Sequence, residues 1–374
     1  MTSSNALQIT VLPGDGIGLE VMEPCLILLA AAEKRVGGFS LNLKDEPAGA
    51  VHYRETGTAL PKETLEIASK ADAILLAAMG LPAVRYPDGT EIMPQVDLRM
   101  ELGLYAGVRP VKTVPGLPVV LADPRAANLD FVLIRESTEG LFATKQKGAV
   151  VNDICATETL VMTRAVSERL FDFGFKLAGH RKARGKPGRL TLVDKANVFI
   201  SFAWARKIFD ERAKNFPDIQ KSYAYVDATA LDMVRRPWTF DVMVTENMFG
   251  DILSDLGAGL MGGMGMAPSA DIGDNHAVFQ PCHGTAPDIV GQGKANPTAM
   301  FLSAAMMLEW LGDRHGEKSL HKAANLIEAA VSHAYLTHKF VPFEMGGEAG
   351  TKEITNAVFD ALKVVDLDAM ASAH

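Results

Sequence analysis

Leu12-Pro-Gly-Asp-Gly-Ile-Gly18 decides the fold, because it joins a short apolar run at residues 8–12 to residues 20–34, whose apolar side chains repeat at helical spacing. The glycines run G-x-G-x-G. That is one residue short of the G-x-G-x-x-G fingerprint that offers a helix N-terminus to a dinucleotide pyrophosphate, and no second strand ending in an acidic residue follows at the expected distance. The motif therefore reads against a Rossmann site. Further along, residues 131–135, 190–193, 223–227 and 240–245 form short strand-like runs between helical stretches, and residues 71–78 read as a buried parallel strand. Strands alternating with helices predict an α/β architecture. The glycine-rich residues 257–266 read as a crossing point between domains.

The chain has 374 residues, more than one hydrophobic core usually supports, so two domains are expected. Its 48% apolar and 22% charged composition is that of a globular protein rather than a disordered one. The longest apolar run, residues 25–32, is too short for a membrane span, and the first residues lack a secretory pattern, so a cytoplasmic location is expected. A net charge of −8 argues against nucleic acid or anionic membrane as partner. Cys25, Cys155 and Cys282 form no CxxC pair and read as core or near-core thiols.

The chemistry begins at Thr245-Glu-Asn-Met-Phe-Gly-Asp-Ile-Leu-Ser-Asp255, which places Asp251 and Asp255 four residues apart, on one face of a helix. Their flanks are apolar and glycine-rich, where uncompensated charge is costly, so the pair points to a hard divalent cation, Mg²⁺ or Mn²⁺. A cationic cluster complements it. Arg99 and Arg109 lie ten residues apart, and Arg135 closes a strand-like run. Guanidinium forks grip carboxylates with paired hydrogen bonds, so three of them beside a metal-type acid pair suggest a polycarboxylate substrate.

These residues sit in blocks that resemble the β-decarboxylating dehydrogenases, the isocitrate, homoisocitrate, 3-isopropylmalate and tartrate/D-malate enzymes. The blocks are LPGDGIG at 12–18, LR at 98–99 with VRP at 108–110, RESTEG at 135–140, DKANV at 194–198, YVDA at 225–228, TENMFGDILSDLGAG at 245–259 and HGTAPDIVGQGKANP at 283–297. The resemblance implies an isopropylmalate dehydrogenase-like two-domain α/β fold with non-Rossmann dinucleotide binding and an interdomain active-site cleft. The larger domain would comprise 1–104 and 262–374, and the smaller 105–261 would make a homodimer contact, with residues 144–158 as an intersubunit arm. It assigns Arg99, Arg109 and Arg135 to substrate carboxylates, Lys195 to proton transfer, and Asp227, Asp251 and Asp255 to the metal. Lys195 and Asp227 would enter from the neighbouring subunit, giving shared active sites.

The resemblance further implies that His283, Gly284, Thr285, Ala286 and Asp288 hold the adenosine part of the cofactor, with Asn296 at the adenine and Asn197 near the nicotinamide. A carboxylate at Asp288 accepts from a ribose 2′-hydroxyl and repels a 2′-phosphate, so NAD is expected over NADP. Two departures stand out. Gln280 replaces a glutamate of the isopropylmalate enzymes, and Phe142 replaces the tyrosine that protonates the enol after decarboxylation. Gln95 and Val96 stand where the family reads the rest of the substrate, and offer neither the leucines of isopropylmalate enzymes nor the serine and asparagine of isocitrate enzymes. The expected activity is NAD-dependent oxidation, with decarboxylation, of a small 2-hydroxy acid, first a 3-isopropylmalate-like one. Tartrate, D-malate, isocitrate or homoisocitrate, oxidation without efficient decarboxylation, and a non-catalytic regulatory paralogue are the alternatives.

Overall fold

The computed structural model describes residues 6–144 and 147–366. Residues 1–5 and 367–374 of the expected larger domain, and 145–146 of the expected arm, lie outside it. In chain order the first part runs β1 (Leu7–Gly14), α1 (Ile17–Val36), β2 (Leu41–Asp45), α2 (Ala50–Thr56), α3 (Lys62–Ala68), β3 (Ala73–Ala78) and α4 (Pro94–Glu101). The middle runs β4 (Ala106–Lys112), β5 (Asp130–Glu136), β6 (Ala149–Val151), β7 (Cys155–Thr157), α5 (Arg164–Ala183), β8 (Arg189–Asp194), α6 (Ile200–Ala213), β9 (Gln220–Tyr225), α7 (Val226–Arg235), β10 (Val242–Thr245) and α8 (Asn247–Met261). The last part runs β11 (Pro268–Ile272), β12 (Ala277–Pro281), α9 (Thr298–His315), α10 (Lys318–His338) and α11 (Thr351–Val364).

One mixed sheet dominates, in the order β2-β1-β3-β12-β11-β4-β5-β10-β8-β9. Its two wings are parallel, as the α/β reading expects, while β12, β11, β4 and β5 pair antiparallel at its centre. The expected domain boundary falls between β11 and β4, which are hydrogen-bonded neighbours. Helix α9, buried along most of its length, packs against both β11 and β12 and anchors α10.

The glycine turn is filled by the chain itself. The Ile17 N–H at the start of α1 donates to the Thr285 carbonyl at 3.0 Å, and a Cβ on Gly16 would lie 2.3 Å from that oxygen. The helix N-terminus that would cradle a pyrophosphate in a Rossmann fold is thus occupied. Asp15 caps the neighbourhood, accepting from the Ala50, Val51 and Gly80 amides at 2.7, 2.8 and 2.9 Å.

Four expectations need correction. Residues 223–227 are not all strand: β9 ends at Tyr225, and Asp227 sits in the first turn of α7, where a carboxylate suits the helix dipole. Residues 257–261 continue α8, and only the left-handed Gly262, with φ 115°, ends it before the crossing to β11. Cys155 is exposed on the β6–β7 hairpin rather than in a core. Asp251 and Asp255 lie on the exposed face of α8, because helical periodicity turns their apolar neighbours Leu253, Gly257 and Ala258 inward. The acid pair is less desolvated than its flanking sequence suggested.

Candidate active site

The central antiparallel strands build the cationic half of the site. Their register places Gly107 of β4 opposite both Arg135 of β5 and Asp271 of β11. Arg109, two residues on, shares the face of Gly107 by strand alternation. A Cβ at Gly107 would lie 2.6 Å from Ser137 Oγ and 3.1 Å from Asp271 Oδ1, so the missing side chain makes room for the buried carboxylate.

Asp271 gathers the arginines. Arg99 Nε, from α4, donates to its Oδ2 at 2.9 Å, and an Arg109 guanidinium nitrogen donates to Oδ1 at 3.3 Å. Ser137 Oγ donates to Oδ1 at 3.3 Å, and Gln280 Nε2 to Oδ2 at 2.7 Å. Burial alone would raise the Asp271 carboxyl, but Arg99, Arg109 and Arg135 hold it below the usual carboxylate range. Arg135 is pulled down to about 10 by burial and then by the like charge of Arg99. It stays charged at neutral pH.

Helix α8 brings the acids to this cluster. Glu246 caps it, accepting from the Phe249 and Met248 amides at 2.7 and 3.1 Å. Gly250 then lets the helix lie directly on Arg135, since a Cβ there would come within 2.6 Å of that side chain. Arg135 Nε donates to Asn247 Oδ1 at 2.9 Å, and its fork pairs with Asp251. Burial, then the charge of Asp251, raises the Asp255 carboxyl. Two carboxylates that repel one another across one turn are a hard oxygen donor set that fits a divalent cation. Among the described residues no group of three or more such ligands comes together.

Lys195 and Asp227 are placed elsewhere. Lys195 follows β8 and donates to Asp227 Oδ1 at 2.7 Å, lowering the Asp227 carboxyl, and the exposed Asn197 lies in the same turn. Arg206 clamps the adjacent buried Asp194 through two bonds of 2.6 and 2.9 Å, which fixes the turn.

A cleft of about 200 Å³ unites the rest: Arg99, Arg109, Arg135, Asp251 and Asp255 line it together with Gln95, Val96 and Phe142. Lys195 and Asp227 do not line it. The Phe142 ring sits 5.2 Å from the Arg135 guanidinium, a cation–π contact. Gln95 Oε1 is buried with no hydrogen-bond partner among the described residues.

The loop expected to hold the cofactor closes the cleft with His283 and Gly284. His283 Nδ1 donates to the Gly284 carbonyl at 2.9 Å, leaving Nε2 as a buried acceptor with no partner among the described residues. Burial lowers the imidazole pKa, so the ring is neutral. Thr285 Oγ1 donates to the Gly80 carbonyl at 2.6 Å and Ala286 is left-handed at φ 37°, which together fix the loop, while Asp288 is exposed. An orphaned acceptor beside exposed backbone fits a dinucleotide. Asn296 instead turns its side chain inward, donating to Glu344 at 2.8 Å and accepting from the Thr298 amide at 3.0 Å.

Asp271, Asn247 and Ser137 escaped the sequence reading. The signal for Asp271 was present: three converging arginines demand a buried counter-charge, and Pro268-Ser-Ala-Asp-Ile272 carries an acid in an otherwise uncharged strand.

Fold and cleft define an enzyme of the decarboxylating dehydrogenase class, built on a large mixed sheet. The chain belongs to the isocitrate/isopropylmalate dehydrogenase family, whose match spans residues 8–358. It is 40% identical over 352 residues to the 3-isopropylmalate/3-methylmalate dehydrogenase of Methanocaldococcus jannaschii, covering 94% of this chain and 97% of that one. It is 41% identical over 357 residues to the 3-isopropylmalate dehydrogenase of Archaeoglobus fulgidus, covering 95% and 99%. The crystal structure of isocitrate dehydrogenase from Methylococcus capsulatus superposes with a TM-score of 0.83 at 35% identity, covering 96% of this chain and 99% of that one.

Proposed function

We propose that the chain oxidises and decarboxylates a 2-hydroxy dicarboxylic acid of the 3-isopropylmalate kind, using NAD and Mg²⁺ or Mn²⁺. The observation that carries this reading is the convergence of Arg99, Arg109 and Arg135 on one cleft with Asp251 and Asp255. The relatives named 3-isopropylmalate dehydrogenase support the same chemistry and, with it, a place in leucine biosynthesis.

The arginines would grip the substrate carboxylates. Asp251 and Asp255, with Asp227 of the partner subunit, would hold the divalent ion, which when bound supplies Lewis-acid polarisation of the hydroxyl and ketone oxygens. The Lys195 amine of the partner subunit would take the hydroxyl proton. NAD when bound accepts the hydride from C2, and Asp288 would select it over NADP. Gln95 and Val96 would face the remaining substituent.

Sharing of sites between two copies explains why Lys195 and Asp227 stand outside the cleft of their own chain. The exposed apolar side chains Val198, Ile200, Leu231, Val234 and Ile252 are 51–88% accessible and belong to the same part of the chain. So much apolar surface marks a protein interface. The β6–β7 hairpin, with Val150 and Ile154 at 73% and 86% accessible, would be the arm, since a two-stranded hairpin is marginal alone. The ranges 1–104 with 262–374 and 105–261 would be the two domains, with Gly262 and Gly263 absorbing closure. No described helix is long and apolar enough to cross a membrane, in keeping with work in the cytoplasm.

Phe142 favours one second reading, oxidation with slow decarboxylation, because a phenyl ring has no proton to give. The test is NAD reduction by the purified protein with Mg²⁺ or Mn²⁺ across 3-isopropylmalate, D-malate, tartrate, isocitrate and homoisocitrate, with NADP as control. The reading expects 3-isopropylmalate and NAD to lead. Silence on all five acids, or NADP ahead of NAD, would reject it.

A further inference from the structure

Asp271 and Gln280 meet beside the arginines that line the cleft. Ser269 lies opposite Gln280 in the antiparallel β11–β12 ladder, so Asp271, two residues along, projects on the same face as Gln280. The two side chains meet at 2.7 Å. Gln280 is neutral, so the one carboxylate of the pair is that of Asp271 on β11. Asp271 is fully buried, and Arg99 and Arg109 are bonded to it at 2.9 and 3.3 Å.

Three arginines against one permanent buried carboxylate leave two positive charges. Asp251 and Asp255 together match a divalent cation, and Lys195 and Asp227 neutralise one another at 2.7 Å. We propose that Asp271 is a positioning residue that aims Arg99 and Arg109 into the cleft and fixes the cradle at the charge of a dicarboxylate, so that a third substrate carboxylate is disfavoured. The proposal rests on the reading of the cleft as a hydroxy-acid site. Specificity would come from the unmatched charge a tricarboxylate brings.

The experiment is calorimetric titration of 3-isopropylmalate and of isocitrate into the full-length protein with Mg²⁺ and without NAD, so that nothing turns over. Wild type is expected to favour the dicarboxylate. Asp271→Asn leaves three uncompensated positive charges and should shift the affinity ratio toward isocitrate by on the order of tenfold. Asp271→Asn with Gln280→Glu returns a carboxylate from the adjacent strand and should reverse that shift. A purely structural Asp271 would show no such rescue. Gln280→Glu alone, which keeps Asp271 in place if Asp271→Asn does not fold, adds a second carboxylate and should move the ratio further from isocitrate. A ratio unmoved by all three substitutions, or a wild type that favours isocitrate or binds neither acid, overturns the proposal. Wild type that binds 3-isopropylmalate as expected but reduces no NAD overturns the proposed activity while leaving this inference standing.

Discussion

Lys195 Nζ lies 2.7 Å from Asp227 Oδ1, and neither residue lines the cleft that holds Asp251 and Asp255. A single chain therefore holds the Lys195–Asp227 pair apart from the Asp251–Asp255 pair. If two copies exchange these halves, Lys195→Met and Asp251→Asn variants, each inactive alone, should complement when mixed by unfolding and refolding. Random pairing in a symmetric dimer leaves one competent site in each mixed dimer, so about a quarter of wild-type activity should return. No recovery despite mixed dimers seen by native mass spectrometry would mean that each chain completes its own site.

Gly250 brings the backbone of α8 directly against Arg135, with a notional Cβ only 2.6 Å from that side chain. Gly250→Ala must displace either the helix or the arginine. We expect kcat/KM to fall by about tenfold to a hundredfold, since a small misplacement of a gripping group is that costly. Overpacking should also cost about 1–3 kcal/mol of stability in a denaturant melt. An alanine variant with unchanged kcat/KM would show that Arg135 is not held by this contact.

Phe142 lines the cleft beside Arg135 but offers no proton. Restoring a phenol with Phe142→Tyr should raise the rate of ketone-product release by about tenfold or more, the lower range of what a positioned general acid contributes. An unchanged or lower rate would mean that enol protonation is not limiting.

Burial, followed by the like charge of Asp251, raises the Asp255 carboxyl above its ordinary 3.8. A raised acid becomes protonated at a higher pH than an ordinary aspartate, so if Asp255 holds the proposed cation it is lost as a ligand earlier on acidification. Mn²⁺ affinity measured by calorimetry should therefore decline as pH falls, with a midpoint above 3.8 that Asp255→Asn abolishes. A midpoint at or below the ordinary value would contradict the shared-charge account of the pair.

Much of this was legible in the sequence, and what was not has physical causes. The inner parallel strands announce themselves as apolar runs, β3 most clearly, because the side chains of β3, β8 and β10 are buried on both faces. The three arginines and the acid pair could be paired from chemistry alone. Two of the central strands were missed: β4 carries Gly107, Arg109 and Pro110, and β11 carries Ser269 and Asp271, so neither reads as apolar. Those polar residues are buried because they satisfy one another across strands that are far apart in sequence, a condition visible only once the sheet is assembled. Proximity in sequence misled once as well, since the apolar neighbours of Asp251 and Asp255 face away from them.

The most direct measurement follows NADH and CO₂ together as the purified protein acts on 3-isopropylmalate with NAD and Mg²⁺. The account predicts that both form in equal amounts and that Lys195→Met abolishes both. NADH without matching CO₂, or no NADH at all under conditions where the wild-type protein binds the acid, would contradict it.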